Sequence, residues 1–235
     1  MNAEEILSEL ESLGSESTRK TLLRHGAKDP CFGVKVGDLQ KIRKRIKTDY
    51  QLSLDLYASG NYDAMYLAGL IADDEKMTKA DLRRWAKGAY GGSLPGATVP
   101  WVATGSKHGQ ELSLEWIEAK DPCIASIGWA TLTSLMSVRP DENLDVPMLR
   151  KMLKRVEKEI HHAPNPVREA MNHFVIGAGC FVVSLIEPAL KTAEKIGEVK
   201  VDHGDTACKT PYAPDYIRKV EKMGRIGKKK KSAKC

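Results

Sequence analysis

The sequence predicts an all-α protein whose helices pair and stack into a short solenoid. Three observations predict this fold class. Apolar residues recur at helical spacing along most of the 235 residues, strand patterns are poor, and similar helix starts are repeated along the chain. The abundance of Ala, Leu, Lys and Glu, with only 6% aromatic residues, also favours helices.

The first clear helices lie at residues 4–13 and 36–47, where apolar side chains share one face. These side chains are Ile6, Leu7, Leu10 and Leu13 in the first segment, and Val36, Leu39, Ile42 and Ile46 in the second. Lys41, Lys44 and Arg45 lie opposite the second apolar face. This spacing is typical of amphipathic surface helices.

Three further helix starts are predicted from capping chemistry. Thr48 with Gln51 matches a capping box, Thr78 with Asp81 is a looser relative of it, and Asp145 is followed two residues later by Pro. The clearest break in the body is the glycine-rich segment 88–96, which predicts a loop. The β-branched run that follows Phe181 is interpreted as part of a helix that ends at Pro188.

A weak internal repeat begins at Asn61, Asp121 and Asn165, where an Asx residue starts a helix that then carries small residues. The last two starts lie 44 residues apart, which matches the spacing of HEAT and armadillo repeats. An ordinary helical bundle with the same capping chemistry fits this periodicity equally well.

Composition and charge limit the classes of function. No apolar run is long enough to span a membrane, and the acidic N-terminal residues do not resemble a signal peptide. Five scattered cysteines, with no CxxC pair, predict a cytoplasmic protein without a disulfide framework. No histidine or cysteine spacing matches a metal site, so we expect no metal and no cofactor.

The positive charge is concentrated at the C-terminus. Residues 222–235 carry seven Lys or Arg and no acidic residue, whereas the whole chain has a net charge of only +6. We therefore expect a repeat domain at 1–200, an extension with a short helix at 201–221, and a basic, flexible tail at 222–235. Within the body, charge alternates between basic and acidic bands, which suits a repeat protein that has one surface of each sign.

Three segments carry a family resemblance: FGVKVGDLQ at 32–40, NYDAMYLAGLIAD at 61–73 and PVREAMN at 166–172. Together, over roughly residues 17–196, they resemble the DNA alkylation repair family of HEAT-like DNA glycosylases. Residues 198–235 resemble the ending of one branch of that family. The resemblance implies an α-α superhelix with a concave basic face that cradles duplex DNA. It also implies excision of N3- and N7-alkylated purines by two aromatic residues and an Asp.

The expected catalytic residues are missing from this sequence. The resemblance places the first aromatic residue and the Asp at Gly92 and Gly96, and the later aromatic residue at His173. No Asp or Glu occurs anywhere in residues 82–110. Tyr90 and Trp101, with His173, are candidates for aromatic faces beside a damaged base. The catalytic residues are therefore unknown, and the residues do not support glycosylase activity.

The candidate phosphate contacts are basic residues on predicted helix surfaces and in the tail. They are Lys35, Lys41, Lys44, Arg45, Arg83, Arg84, Lys107, Arg150, Lys151, Lys154, Arg155, Arg168, Lys228, Lys229, Lys230 and Lys231. With the resemblance, this set indicates a protein that binds duplex DNA, damaged or branched. The alternative is a repeat scaffold that binds a protein partner and has no nucleic-acid function, which the acidic band at 111–149 keeps open.

Overall fold

A computed structural model gives the structure of residues 1–234, and every regular element in that range is a helical segment. The all-α prediction is therefore confirmed. The chain divides into two compact units. The first contains residues 1–109 and 204–206 with Lys234, and the second contains residues 110–203 and 207–233. No helix in the described range is long and apolar enough to cross a membrane.

The first unit is built from seven helices. They are α1 (Ala3–Leu13), α2 (Glu16–Arg24), α3 (Val36–Ile46), α4 (Tyr50–Ala58), α5 (Tyr62–Ile71), α6 (Lys79–Gly88) and α7 (Val99–Gly105). A π-helical turn, Leu94–Thr98, leads directly into α7. The predicted glycine-rich loop at 88–96 is therefore shorter than expected, because its last residues already belong to this turn.

The core of the first unit is centred on α5, in which nearly every side chain is buried. Leu67 and Ile71 are completely inaccessible to solvent. A second part of the core stacks the Tyr57 ring on Trp85, with the ring centroids 4.1 Å apart. The Tyr57 hydroxyl donates a hydrogen bond to the Trp85 carbonyl oxygen at 2.7 Å, so its polar end is also satisfied.

Six helices form the second unit. They are α8 (Gly109–Trp116), whose first residue lies at the boundary, α9 (Pro122–Val138), α10 (Val146–Glu159), α11 (Asn165–Phe181), α12 (Ile186–Ile196) and α13 (Ala213–Lys222). Short 3-10 turns at Asp141–Asn143 and Val183–Leu185 precede α10 and α12.

The core of the second unit lies between α9 and α11. The Trp129 and Phe174 rings meet edge to face, with their centroids 5.1 Å apart, and both side chains are fully buried. At Gly177 a Cβ atom would stand 2.8 Å from the Thr133 methyl group, closer than ordinary packing permits. The small residue is required here because it allows the two helices to pack closely.

Several helix starts were predicted correctly from their capping residues. Asn61, Asp121 and Asp145 each cap a helix through the side chain, and Thr78 forms a complete capping box with Asp81. These predictions are confirmed, and each rests on a contact within three residues along the chain.

Three predicted boundaries are wrong. Asp49, rather than Thr48, caps α4, because its carboxylate reaches the Leu52 amide. Asn165 is the first residue of α11 instead of its cap, and its side chain bonds elsewhere. The helix that reaches Phe181 stops there, and Pro188 lies in the first turn of α12, where its lack of an amide hydrogen costs nothing.

Candidate nucleic-acid interface

Helix α3 presents a basic face in the first unit. Lys41, Lys44 and Arg45 are exposed, while Leu39 and Ile42 on the opposite side are buried. The Lys41 amino group lies 2.8 Å from the Asp38 carboxylate, and Arg45 pairs with Glu9 on α1. Lys35, just before the helix, is also exposed. The amphipathic pattern therefore fixes which charges face solvent.

A second group of cations in the same unit follows α6 and α7. Arg83 and Arg84 are exposed on α6, and Arg84 lies 3.6 Å from the Asp81 carboxylate. Lys107 is exposed in the segment after α7. Asp81 also caps its own helix and accepts a hydrogen bond from the Tyr50 hydroxyl at 2.9 Å. These bonds to the ionised carboxylate lower the pKa of Asp81 despite its burial.

Helix α10 carries the basic face of the second unit. Arg150, Lys151 and Lys154 are exposed, and Leu149 and Leu153 are buried against the core. The Arg150 guanidinium donates to the Ser184 carbonyl oxygen at 3.3 Å. Lys151 and Lys154, one turn apart, form no ion pair with any described residue. Two side chains at this spacing can contact neighbouring phosphates along one strand.

Arg155, on the same helix, has a different environment from the rest of the predicted set. Its guanidinium pairs with Glu118 and, at 2.8 Å, with Glu159, and lies 6.0 Å from the centre of the Trp129 ring. Hydrogen bonds from these carboxylates raise the pKa of Arg155. Arg155 therefore links α10 to the segment after α8 and lies beside the Trp129 ring of α9.

Arg168 is likewise engaged by the protein itself. It donates to the carbonyl oxygens of Lys200 at 2.8 Å and Ala163 at 3.0 Å. On the same helix, Asn165 exchanges two hydrogen bonds with the backbone of Asp202, and Asn172 donates to the Pro211 carbonyl oxygen. Asn165, Arg168 and Asn172 therefore form a polar stripe on α11 that holds the backbone of the C-terminal extension. Sequence spacing did not reveal this role.

The lysine tail is anchored at two points. The Lys229 amino group lies 2.7 Å from the Asp141 carboxylate and donates to the carbonyl oxygens of Met136 and Phe181. The Lys234 amino group lies 2.7 Å from Asp74 and donates to the Ala72 carbonyl oxygen. A flexible tail was expected from composition, and these contacts instead hold its described residues against the protein; Cys235 lies outside the described range.

The other tail lysines differ from these anchors. Lys228, Lys230 and Lys231 are exposed, and the Lys230 amino group lies 5.7 Å from the centre of the Phe181 ring. Only these three of the four consecutive lysines therefore present charge to solvent. Lys229 instead donates to two carbonyl oxygens and forms an ion pair with Asp141, so its charge is balanced within the protein.

The segment that the resemblance aligns with the catalytic pair contains no catalytic side chain. Both glycines are exposed; Gly92 lies two residues before the π-helical turn and Gly96 lies within it. A Cβ atom on Gly96 would meet no other heavy atom within 4 Å, so none of the described residues brings a carboxylate into contact with this position. The space beside Gly96 is therefore open, with no acidic side chain in contact with it.

The three candidate aromatic residues occupy different environments. Trp101 is buried with its ring edge-on to Tyr66, and is part of the core. Tyr90 is half-buried and donates to the Gly60 carbonyl oxygen at 3.1 Å, and its burial raises its pKa to about 12. His173 is exposed at the rim of a cavity, where partial loss of water lowers its pKa. The described residues contain no cluster of three or more potential metal ligands.

Comparison with known proteins agrees with this architecture. The model of the DNA alkylation repair enzyme family matches residues 6–217. Uncharacterized protein Lin0241 of Listeria innocua and uncharacterized protein Lmo0209 of Listeria monocytogenes are each 29% identical over 223 residues, 92% of this chain and 96% of theirs.

A solved structure is 36% identical, with a TM-score of 0.93 and full coverage of both chains. It is described as a new family of proteins related to the HEAT-like repeat DNA glycosylases with affinity for branched DNA structures. The family model covers both units and the fold of HEAT-like helical repeats is shared, so this chain belongs to the DNA alkylation repair enzyme family.

Proposed function

We propose that this protein binds duplex and branched DNA through exposed basic helix faces and does not robustly excise alkylated bases. The first support is the 36% identical structural relative, which is described as having affinity for branched DNA. A cytoplasmic location, which the scattered cysteines favour, is part of the same proposal.

The second support is the chemistry of the basic faces. Lys41, Lys44 and Arg45 on α3, with Lys151 and Lys154 on α10, are exposed at one-turn spacing. The surface ion pairs of Lys41 with Asp38 and of Arg45 with Glu9 are worth only about 0–1 kcal/mol each, so a phosphate can replace either carboxylate. Binding that neutralises several phosphates releases counterions and must weaken steeply with added salt.

The proposal that alkylated bases are not robustly excised rests on the missing carboxylate beside Gly92 and Gly96. Excision of a cationic purine builds positive charge on the sugar, and an acidic side chain is the natural group to stabilise it and to orient water. Losing one such stabilising group typically costs about 10²–10³ in rate. Binding without efficient chemistry is the expected result.

The test compares affinity and chemistry in one preparation. Dissociation constants are measured over a series of salt concentrations for a four-way junction and for linear duplex of equal length, with and without methylated bases. We expect tighter binding to the junction and a steep salt dependence. The double substitution Lys151→Ala/Lys154→Ala should weaken binding, and Lys219→Ala/Lys222→Ala, which removes two charges from α13, should not.

Freed 3-methyladenine and 7-methylguanine are measured in the same samples against DNA without protein. Release many-fold above that control, abolished by a substitution in the protein, would overturn the proposal that excision is lost. Equal affinity of the two double variants would instead contradict the assignment of the DNA-binding face to α10.

A further inference from the structure

A large cavity lies within the second unit, between α9, α11, α13 and the tail. Its volume is about 720 Å³. This is inside the range of roughly 300–1,000 Å³ that is typical of small-molecule sites, and a single nucleotide fits in it. Ile176, Gly177 and Cys180 on one face of α11 form an apolar floor. Burial raises the pKa of the Cys180 thiol to about 11, so the floor carries no charge.

The tail forms one wall of this cavity and is held in place by the protein. The Gly227 amide donates to the Cys180 carbonyl oxygen at 2.8 Å, and the Lys230 amide donates to the Ser137 carbonyl oxygen at 2.7 Å. Between them, the Lys229 amino group is fixed by Asp141 and two carbonyl oxygens. The wall is therefore ordered before a ligand binds, which reduces the entropic cost of binding.

The charge on the lining has one sign. Arg225, Lys228 and Lys230 are exposed and line the cavity, and the charge of Lys229 is balanced by Asp141. No Asp or Glu is among the described residues of the lining. Three cations without a competing carboxylate favour an anion, and a phosphate accepts hydrogen bonds from both guanidinium and ammonium groups.

Aromatic side chains complete the site. Tyr216 is 47% exposed on α13, and Phe181 is partly buried at the end of α11, below the Lys230 amino group. His173 lines the same cavity. Stacking on aromatic rings is the usual way in which proteins bind an unpaired base without reading its sequence. The cavity thus combines a surface for a base with cations for its phosphate.

We propose that this cavity binds one unpaired nucleotide of a DNA strand, with the base packed against both Phe181 and Tyr216 and the phosphate held by Arg225, Lys228 and Lys230. The inference rests on the proposed DNA-binding function and deepens it, since branched DNA exposes unpaired nucleotides where its strands separate. In this proposal the aromatic residues and the tail bind the unpaired nucleotide, whereas α10 binds duplex DNA.

The test uses the fluorescence of 2-aminopurine, which falls when the base stacks. The full-length protein is titrated into three probes: the free 2-aminopurine deoxynucleotide, a branched DNA with this base in an unpaired flap, and the same DNA with the base paired. We expect the fluorescence to fall for the first two probes and to stay constant for the third.

Substitutions then assign the effect to the cavity. Tyr216→Ser and Phe181→Leu should each weaken binding of the unpaired probes at least about fivefold, the lower end expected for the loss of one stacking contact. Tyr212→Ser is the matched control, because Tyr212 is 44% exposed and lies outside the cavity lining. Lys228→Ala/Lys230→Ala should also weaken binding, whereas Lys219→Ala, which removes an exposed charge outside the cavity lining, should not. Circular dichroism confirms that each variant is folded.

The variants distinguish failure of this inference from failure of the proposed DNA-binding function. Lys151→Ala/Lys154→Ala should lose duplex affinity and retain the response to the free nucleotide, so failure of duplex binding leaves the cavity test valid. An equal effect of Tyr212→Ser and Tyr216→Ser, or no response to free nucleotide at millimolar concentration, would overturn the proposal. A response to the free nucleotide but not to the flap would make the cavity a site for free nucleotides and would overturn the assignment to a DNA strand.

Discussion

Asp63 is a buried carboxylate of the first unit that is satisfied by backbone donors. It is 1% exposed, and it accepts hydrogen bonds from the backbone amides of Phe32, Gly33 and Val34 at 2.7, 3.1 and 2.9 Å. Both carboxylate oxygens are needed for these three donors. The side chain therefore fixes the segment that leads into α3 and so the position of its basic face.

Asp63→Asn should destabilise the protein by about 2–3 kcal/mol, because an amide offers one oxygen and turns an NH₂ group towards a buried amide donor. Urea unfolding followed by circular dichroism measures the change. Asp121→Asn is the matched control, since Asp121 is an exposed helix cap and Asn caps a helix equally well. Equal losses from the two substitutions would show that Asp63 has no special structural role.

Asp74 makes stability depend on pH. Burial raises its pKa to about 6, although the neighbouring Lys234 cation acts in the opposite direction. The folded pKa lies above the unfolded value, so this carboxyl contributes stability that is fully present below pH 4 and is lost as the pH rises through about 6.

Asp74→Asn should remove that contribution, about 2–3 kcal/mol of pH dependence between pH 4 and pH 7 at most. Unfolding free energies measured across this range test the expectation. Lys234→Met should move the carboxyl titration, observed by NMR, to still higher pH, because the cation that favours the ionised form is gone. A titration of Asp74 near pH 4 in the intact protein would contradict the burial argument.

At the scale of elements, α11 has two functions on its two sides. Its apolar side packs on α9, and its polar stripe of Asn165, Arg168 and Asn172 holds the backbone of the C-terminal extension. The guanidinium of Arg168 reaches two carbonyl oxygens through different nitrogens of its planar fork, whereas a lysine would have to reach both from a single nitrogen.

Arg168→Lys should therefore increase hydrogen exchange of the amides in residues 200–202 and leave DNA affinity within about twofold of the wild type, since the charge is retained. Lys151→Ala provides the opposite pattern, with weaker DNA binding and unchanged exchange in the extension. A large loss of DNA affinity in Arg168→Lys, without increased exchange, would place Arg168 at the phosphate backbone instead.

Over the chain as a whole the net charge is +6, but the positive charges are unevenly distributed along it. Within the run at residues 228–231, Lys228, Lys230 and Lys231 are exposed, whereas Lys229 is tied to Asp141. Exposed cations that contact phosphates release counterions, and each contact contributes about 0.9 to the slope of log affinity against log salt.

Replacing Lys228, Lys230 and Lys231 by Ala should thus make that slope shallower by between about one and three on duplex DNA. Lys229→Gln should leave the slope unchanged and lower the stability of the tail, which limited proteolysis detects. The slope is obtained from binding isotherms at four or more salt concentrations. An unchanged slope in the triple variant would remove the tail from the DNA interface.

Features that depend on short-range interactions could be predicted from the amino-acid sequence alone. Helix starts at Asn61, Thr78 and Asp121 were predictable because each cap is satisfied within three residues. The amphipathic faces of α3 and α10 were predictable because helical spacing separates buried from exposed residues. The absence of acidic residues from 82–110, and with it the expectation of weak chemistry, also required only the sequence.

Which of the chemically similar cations are exposed to solvent depends on the folded structure and could not be predicted. Lys229 and Lys230 are neighbours of identical chemistry, yet Asp141 and two distant carbonyl oxygens hold the first and leave the second exposed. Arg168 likewise donates to the carbonyl oxygen of Lys200, 32 residues further along the chain. The physical reason is that a cation is neutralised by partners that folding brings close, and those partners leave no local pattern in the sequence.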